Sequence, residues 1–214
     1  MATSGGPDDF GYTWDDTVAL NWIDASGGVN VNFDETIDVG FEVKFYENIY
    51  QYINVSMYGY MTFSPNTDNW QSQVPSPEIP NDVIAPHWVP VDQIGGYIRY
   101  LKGGTVPNRW FVVEWNRVQN DVYDPDEMDE FTFQAILHEN GDIVFQYQTM
   151  VVRSGYSCMA SGIEDSTGLD GLGITSFCSP VASNQAVKIT RPVPAARVRI
   201  WPRHQGQFTQ PGQL

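Results

Sequence analysis

Two cysteines in 214 residues, Cys158 and Cys178, are too few for a disulfide framework, and their spacing does not fit a C-x2-C zinc site. Charge is also scarce, at 17% of residues against about 25% in an average soluble protein. Basic side chains are the rarer sign, 11 against 26 acidic ones, for a net of −15. No apolar run approaches the ~20 residues that a helix needs to cross a bilayer, so membrane insertion by helix is not expected. No ten-residue stretch keeps a 3.6-residue apolar period, and 19 glycines and 14 prolines interrupt the chain, which excludes coiled coils and long helices. Enzyme signatures are missing too: there is no G-x-S-x-G elbow, H-E-x-x-H pair or P-loop, and G-L-D-G-L-G (168 to 173) is out of order for a dinucleotide fingerprint. What is abundant is aromatic surface, 14% of residues, enough for a packed core and too much for a disordered chain.

The charge is unevenly placed. Residues 1 to 150 carry a net of −18 and residues 151 to 214 a net of +3, with five basic and no acidic residues from Ala186 onward. An acidic body repels nucleic acid and anionic lipid, so the expected partners are proteins, including further copies of this chain, with glycans as a second class. The opening M-A-T-S-G-G-P-D-D-F lacks the basic flank and apolar stretch of a secretory signal, which fits either a cytosolic protein or a trimmed mature region. The aromatic, glycine-rich and acidic composition favours the extracellular or cell-surface alternative. In that setting Cys158 and Cys178 are expected to be bonded rather than free, closing a loop of about 20 residues worth roughly 3 kcal/mol in the chain-entropy picture.

Runs of alternating apolar and polar residues recur at 38 to 46, 49 to 56, 58 to 63, 96 to 101, 109 to 118, 131 to 138, 142 to 150, 157 to 164 and 186 to 191. About ten strands separated by turn signals predict an all-β fold, an antiparallel sandwich or jelly-roll-like architecture. Glu139-Asn140-Gly141-Asp142 predicts a two-residue type I′ hairpin. Residues 64 to 82, with four prolines, read as a long surface loop closed by Val83 to Pro86, and 119 to 130 as an acidic excursion. The expected organisation is a β-sandwich domain over 1–191 followed by a basic, Pro/Gln-rich arm or linker over 192–214. Within that arm Arg197, Val198, Arg199, Ile200 and Trp201 alternate as an added strand would, and are expected to dock on a neighbouring subunit or domain.

Four constellations bear on chemistry. His87, His138 and His204 occupy a Pro-flanked turn, a hairpin strand and the tail, and read as structural or solvent-facing. Glu114 shares a strand face with Val112 and Asn116; a glycosidase would need a second carboxylate about 5 to 10 Å away, and none lies on the same strand. Asp121, Asp124, Asp126, Glu127, Asp129 and Glu130 form either a candidate calcium loop or a solvated acidic one, without the EF-hand Gly and Glu positions. No other cofactor is expected. Trp70 stands apart among the seven tryptophans, because its polar, Pro-rich loop gives it nothing to pack on; it is the candidate partner contact. Asn54-Val55-Ser56 is the N-glycosylation sequon, placed within a strand.

The motifs G-P-D-D-F-G-Y-T-W (6 to 14), L-N-W-I-D-A (20 to 25), V-G-F-E-V-K-F-Y-E-N-I-Y (39 to 50), P-N-D-V-I-A-P-H-W (80 to 88), L-H-E-N-G-D-I-V-F-Q-Y (137 to 147), G-I-E-D-S-T-G-L-D-G-L (162 to 172) and R-P-V-P-A-A-R-V-R-I-W-P-R-H-Q-G-Q-F (191 to 208) occur in order. The set resembles a β-rich, nidogen-like module of large secreted bacterial proteins, often found beside subtilisin-like proteases or Ig-like repeats. That resemblance implies an accessory part of the cell surface or secretome with no catalytic residues. The expected function is a non-catalytic extracellular structural or adhesive module, a cell-surface or filament component. A carbohydrate-binding module is the alternative and a glycoside hydrolase a distant third.

Overall fold

The structure is a computed structural model that describes residues 4–32, 35–65, 69–91, 95–119, 128–153, 159–175 and 181–192. Among these residues there are fourteen strands and no helix, so no helix is long and apolar enough to cross a membrane. The strands are β1 (Ser4–Gly5), β2 (Thr13–Asp15), β3 (Val29–Asn30), β4 (Thr36–Phe45), β5 (Asn48–Val55), β6 (Met61–Thr62), β7 (Val83–Trp88), β8 (Tyr97–Gly103), β9 (Trp110–Gln119), β10 (Glu130–His138), β11 (Ile143–Val151), β12 (Ala160–Glu164), β13 (Gly171–Gly173) and β14 (Gln185–Thr190). They form an eight-stranded sheet in the order β1-β2-β14-β11-β10-β9-β8-β3 and a six-stranded sheet in the order β13-β12-β7-β6-β5-β4, with every pairing antiparallel. The expected all-β sandwich is the fold found.

Period-two patterning explains the layers. In β4 the side chains of Ile37, Val39, Phe41, Val43 and Phe45 are buried while those between them are exposed. Their partners across the sandwich are Phe111, Val113 and Trp115 of β9, Phe131, Phe133, Ala135 and Leu137 of β10, and Ile143, Phe145 and Tyr147 of β11, all in the same core. Trp115 and Phe133 stack at 5.0 Å between ring centroids, and each ring buried this way stabilises the fold by roughly 1.5–3 kcal/mol. The eight-stranded sheet is buried on its other face as well. The chain leaves β2 near one edge and reaches β3 at the opposite edge, so residues 16 to 28 cross the sheet as a strap. Under the strap Ala25, Val112 and Ile136 form a second apolar cluster with Ile23 and Val144.

Three local expectations need correction. The strand count exceeds ten because β1, β2, β3 and β13 are only two or three residues long, too short to show a period. The segment read as the close of the Pro-rich loop is a fully buried inner strand, β7. Its Pro86 disguised it: proline cannot donate to a ladder, and here it falls where the β7–β12 register shifts and past the end of the β6 pairing. The hairpin between β10 and β11 is a three-residue loop rather than a type I′ turn. Gly141 N–H donates to His138 O, His138 N–H donates to Asp142 O, and Gly141, at φ +92°, takes the left-handed position while Asn140 does not.

Candidate functional site

The Pro-rich loop between β6 and β7 is held from both sides. Trp88 Nε1 donates to Asn69 O at 2.9 Å, Asn69 Nδ2 donates to Ile79 O at 3.0 Å, and Gln71 Nε2 donates to Glu78 O at 2.5 Å, so the loop is cross-braced within itself. Gln71, Val74, Ser76 and Pro80 turn inward and are buried; Val74 packs with Tyr60 and Trp88. The turn between β12 and β13 fastens the loop from outside. A Cβ on Gly168 would collide with the Ser76 carbonyl oxygen, and φ of +63° also favours glycine there. Beside the buried Gln71, Trp70 is 42% exposed on a cleft of about 470 Å³, bordered also by Ser72, Gln73, Pro77 and Glu78. Ile79, 62% exposed, and Leu169, 76% exposed on the adjoining turn, extend the apolar surface at this end of the sandwich.

A layer of carboxyl groups lies behind the loop. Glu164 is fully buried on β12, and its Oε2 accepts the Ser76 N–H at 2.8 Å while Oε1 has no partner among the described residues. Burial, with the nearby Asp165 and Asp82 charges adding to it, pushes the Glu164 pKa up to about 8. Asp82 is raised in the same direction, mainly by burial, although Tyr50 OH and Ser64 Oγ donate to its Oδ2 at 2.9 and 3.4 Å. Asp165 Oδ1 accepts the backbone N–H groups of Thr167 and Leu169 at 3.1 and 3.2 Å, shaping the turn that carries Leu169. Among the described residues no group of three or more His, Cys, Asp or Glu is arranged to hold a metal.

Glu114 is spent on structure. It is 2% exposed beneath the strap; Oε1 accepts from Tyr97 OH and Asn116 Nδ2, each at 2.9 Å, and Oε2 accepts from Gln134 Nε2 at 2.7 Å. Glu114, Gln134 and Gln146 sit in register on β9, β10 and β11. Gln146 accepts the Asn21 N–H at 2.6 Å and donates to Asn21 O at 2.8 Å, and Gln134 makes the same reciprocal pair with Ile23. Two side-chain amides thus grip alternate residues of the strap as a neighbouring strand would. These glutamines and Glu164 were missed from sequence; the available signal was polar side chains inside otherwise aliphatic strand faces. His87, read as part of a turn, is buried on β7 between Phe131 and Phe133, which hold it neutral with a pKa lowered to about 3. His138 is lowered as well, first by burial.

The remaining expected residues divide in two groups. Asp129 Oδ1 accepts the Arg153 N–H at 2.5 Å, and Glu130 faces Arg117 at 3.7 Å. Asp121, Asp124, Asp126 and Glu127 lie outside the described residues, as do Cys158, Cys178, His204 and the arm residues Arg197, Val198, Arg199, Ile200 and Trp201. The sequon residue Asn54 is engaged on both sides, accepting from Thr36 Oγ1 at 2.9 Å and donating to Ser64 O at 2.8 Å. No curated protein and no solved structure matches the chain. A family profile does: the one described as NIDO related matches residues 11–208, in agreement with the resemblance carried by the ordered motifs. The chain therefore belongs to the NIDO-related, nidogen-like family.

Proposed function

We propose that this chain is a non-catalytic extracellular module that makes structural or adhesive contacts with like subunits or adjoining domains. Membership in a family of non-enzymatic modules supports the first part of that reading. The observation that carries the second is the end of the sandwich where Trp70, Ile79 and Leu169 are exposed on two loops braced against each other. Exposed apolar side chains on a rigid support are costly for an isolated protein and useful for a contact, because little conformational entropy is lost when they are covered. Tryptophan is also among the side chains most often found to dominate binding energy. The C-terminal segment Ala196 to Trp201 is the second element of the reading: its arginines complement a body of net −18, and its alternation suits addition to a sheet edge.

Sedimentation velocity of the full chain, of a truncation after Pro192, and of a Trp70→Ser, Ile79→Ser, Leu169→Ser triple variant tests both elements. The expected result is self-association of the full chain that is weakened in each altered protein, with thermal stability retained. Association unchanged in both altered proteins would overturn the assignment of these surfaces.

A further inference from the structure

We propose that the Trp70 cleft is a binding site for a neutral pyranose oligosaccharide, with the indole as the stacking platform. This inference goes beyond the subunit-contact reading and stands independently of it, giving the Trp70 end of the sandwich a second class of ligand. A sugar ring offers one apolar face of C–H groups and a rim of hydroxyls, so its site needs an exposed flat aromatic with donors and acceptors at the edge. Trp70 supplies the flat surface and Pro77 a second apolar wall. The Ser72 hydroxyl, the Gln73 amide and the Glu78 carboxylate supply polar groups of both kinds around it. A volume of about 470 Å³ falls within the range of about 300–1,000 Å³ typical of small-ligand sites.

Two further features select the ligand. The first is rigidity: Asn69, Gln71 and Ser76 are each fixed by a hydrogen bond of 3.0 Å or less, so the loop that carries the indole is set before the ligand arrives. The second is charge. Among the described residues no lysine or arginine borders the cleft, Glu78 lies on its rim, and the protein carries −15 overall. Uronic and sialic acids would be repelled, whereas neutral hexose, pentose or N-acetylated units would not. Glu78 then accepts from a pair of sugar hydroxyls.

The test is calorimetric titration of the full chain with neutral gluco-, manno-, galacto-, xylo- and chito-oligosaccharides, with polygalacturonate and a proline-rich peptide as competing classes. At least one neutral oligosaccharide is expected to bind, at least about tenfold more weakly to Trp70→Ala and with partial recovery in Trp70→Phe. Glu78→Gln should weaken the same interaction without changing the melting temperature, since both side chains are exposed. Binding of none of the neutral sugars, or binding indifferent to Trp70→Ala, would overturn the proposal, as would preference for the anionic polymer or the peptide. Loss of self-association in Trp70→Ala without any sugar binding would remove the glycan site and leave the contact reading standing. Sugar binding that depends on Trp70, with self-association unchanged, would do the reverse.

Discussion

His87 and Glu164 are both fully buried, and burial moves them in opposite directions. The imidazole is neutral in the folded chain down to about pH 3, whereas the same group in an unfolded chain takes up a proton near 6.5. Between those values the unfolded state binds more protons, so stability falls as pH drops below 6.5, by up to about 1.4 kcal/mol per unit. Glu164 keeps its proton in the folded chain up to about pH 8 against 4.5 when unfolded. Its contribution is full below 4.5 and is lost as pH rises to about 8. Urea midpoints measured from pH 4 to 9 are therefore expected to peak between these limits. His87→Leu should flatten the acid side and Glu164→Gln the alkaline side; a variant that leaves its own side as steep as in the parent would contradict the assignment. Neither environment was legible in the sequence. His87 sits between Pro86 and Trp88 and read as a turn, and a single glutamate after Gly162-Ile163 gives no sign that a loop 88 residues earlier will cover it.

At the scale of elements, the informative piece is the strap over residues 16 to 28. Alternation revealed β9, β10 and β11 as strands, and in β9 it set Phe111, Val113 and Trp115, which the core takes, on the face opposite Val112, Glu114 and Asn116. It could not show that the outer face is covered too, since the cover is an irregular segment with no period of its own. The clue was chemical: Glu114, Gln134 and Gln146 share that face with Val112, Ile136 and Val144. Buried amides of this kind hold backbone groups that water can no longer reach. Gln134→Ala removes both Ile23 bonds and strands Glu114 Oε2, with an expected cost of about 2–4 kcal/mol. Gln146→Ala removes only the pair with Asn21, a strap residue that is itself exposed although Gln146 is buried, with an expected cost of about 1–2 kcal/mol. Denaturant unfolding would give the order, and limited proteolysis should show earlier cleavage within 16 to 28 in both variants. Equal losses in the two proteins would mean that the Glu114 bond adds nothing.

Across the whole molecule, the polar groups that resemble catalytic machinery are used to hold covering segments on a sandwich. Glu114 fixes the strap through Gln134, Glu164 fixes the Pro-rich loop through Ser76, and Asp165 shapes the turn that wedges against that loop. Trp70 was legible from sequence because an indole in a polar, proline-rich stretch has no packing reason to be there. The bracing that makes it a platform was not legible, because it depends on contacts with β7, β12 and the β12–β13 turn. The central claim is that this module works by contact, between an acidic body and the basic end of a like chain and through the exposed Trp70 end. Light-scattering mass of the full chain across a range of concentrations, at low and at high salt, tests that claim most directly. The account predicts a mass above that of one chain that rises with concentration and falls as salt screens the opposing charges over distances beyond about 8 Å. A one-chain mass at every concentration and both salt levels would contradict it.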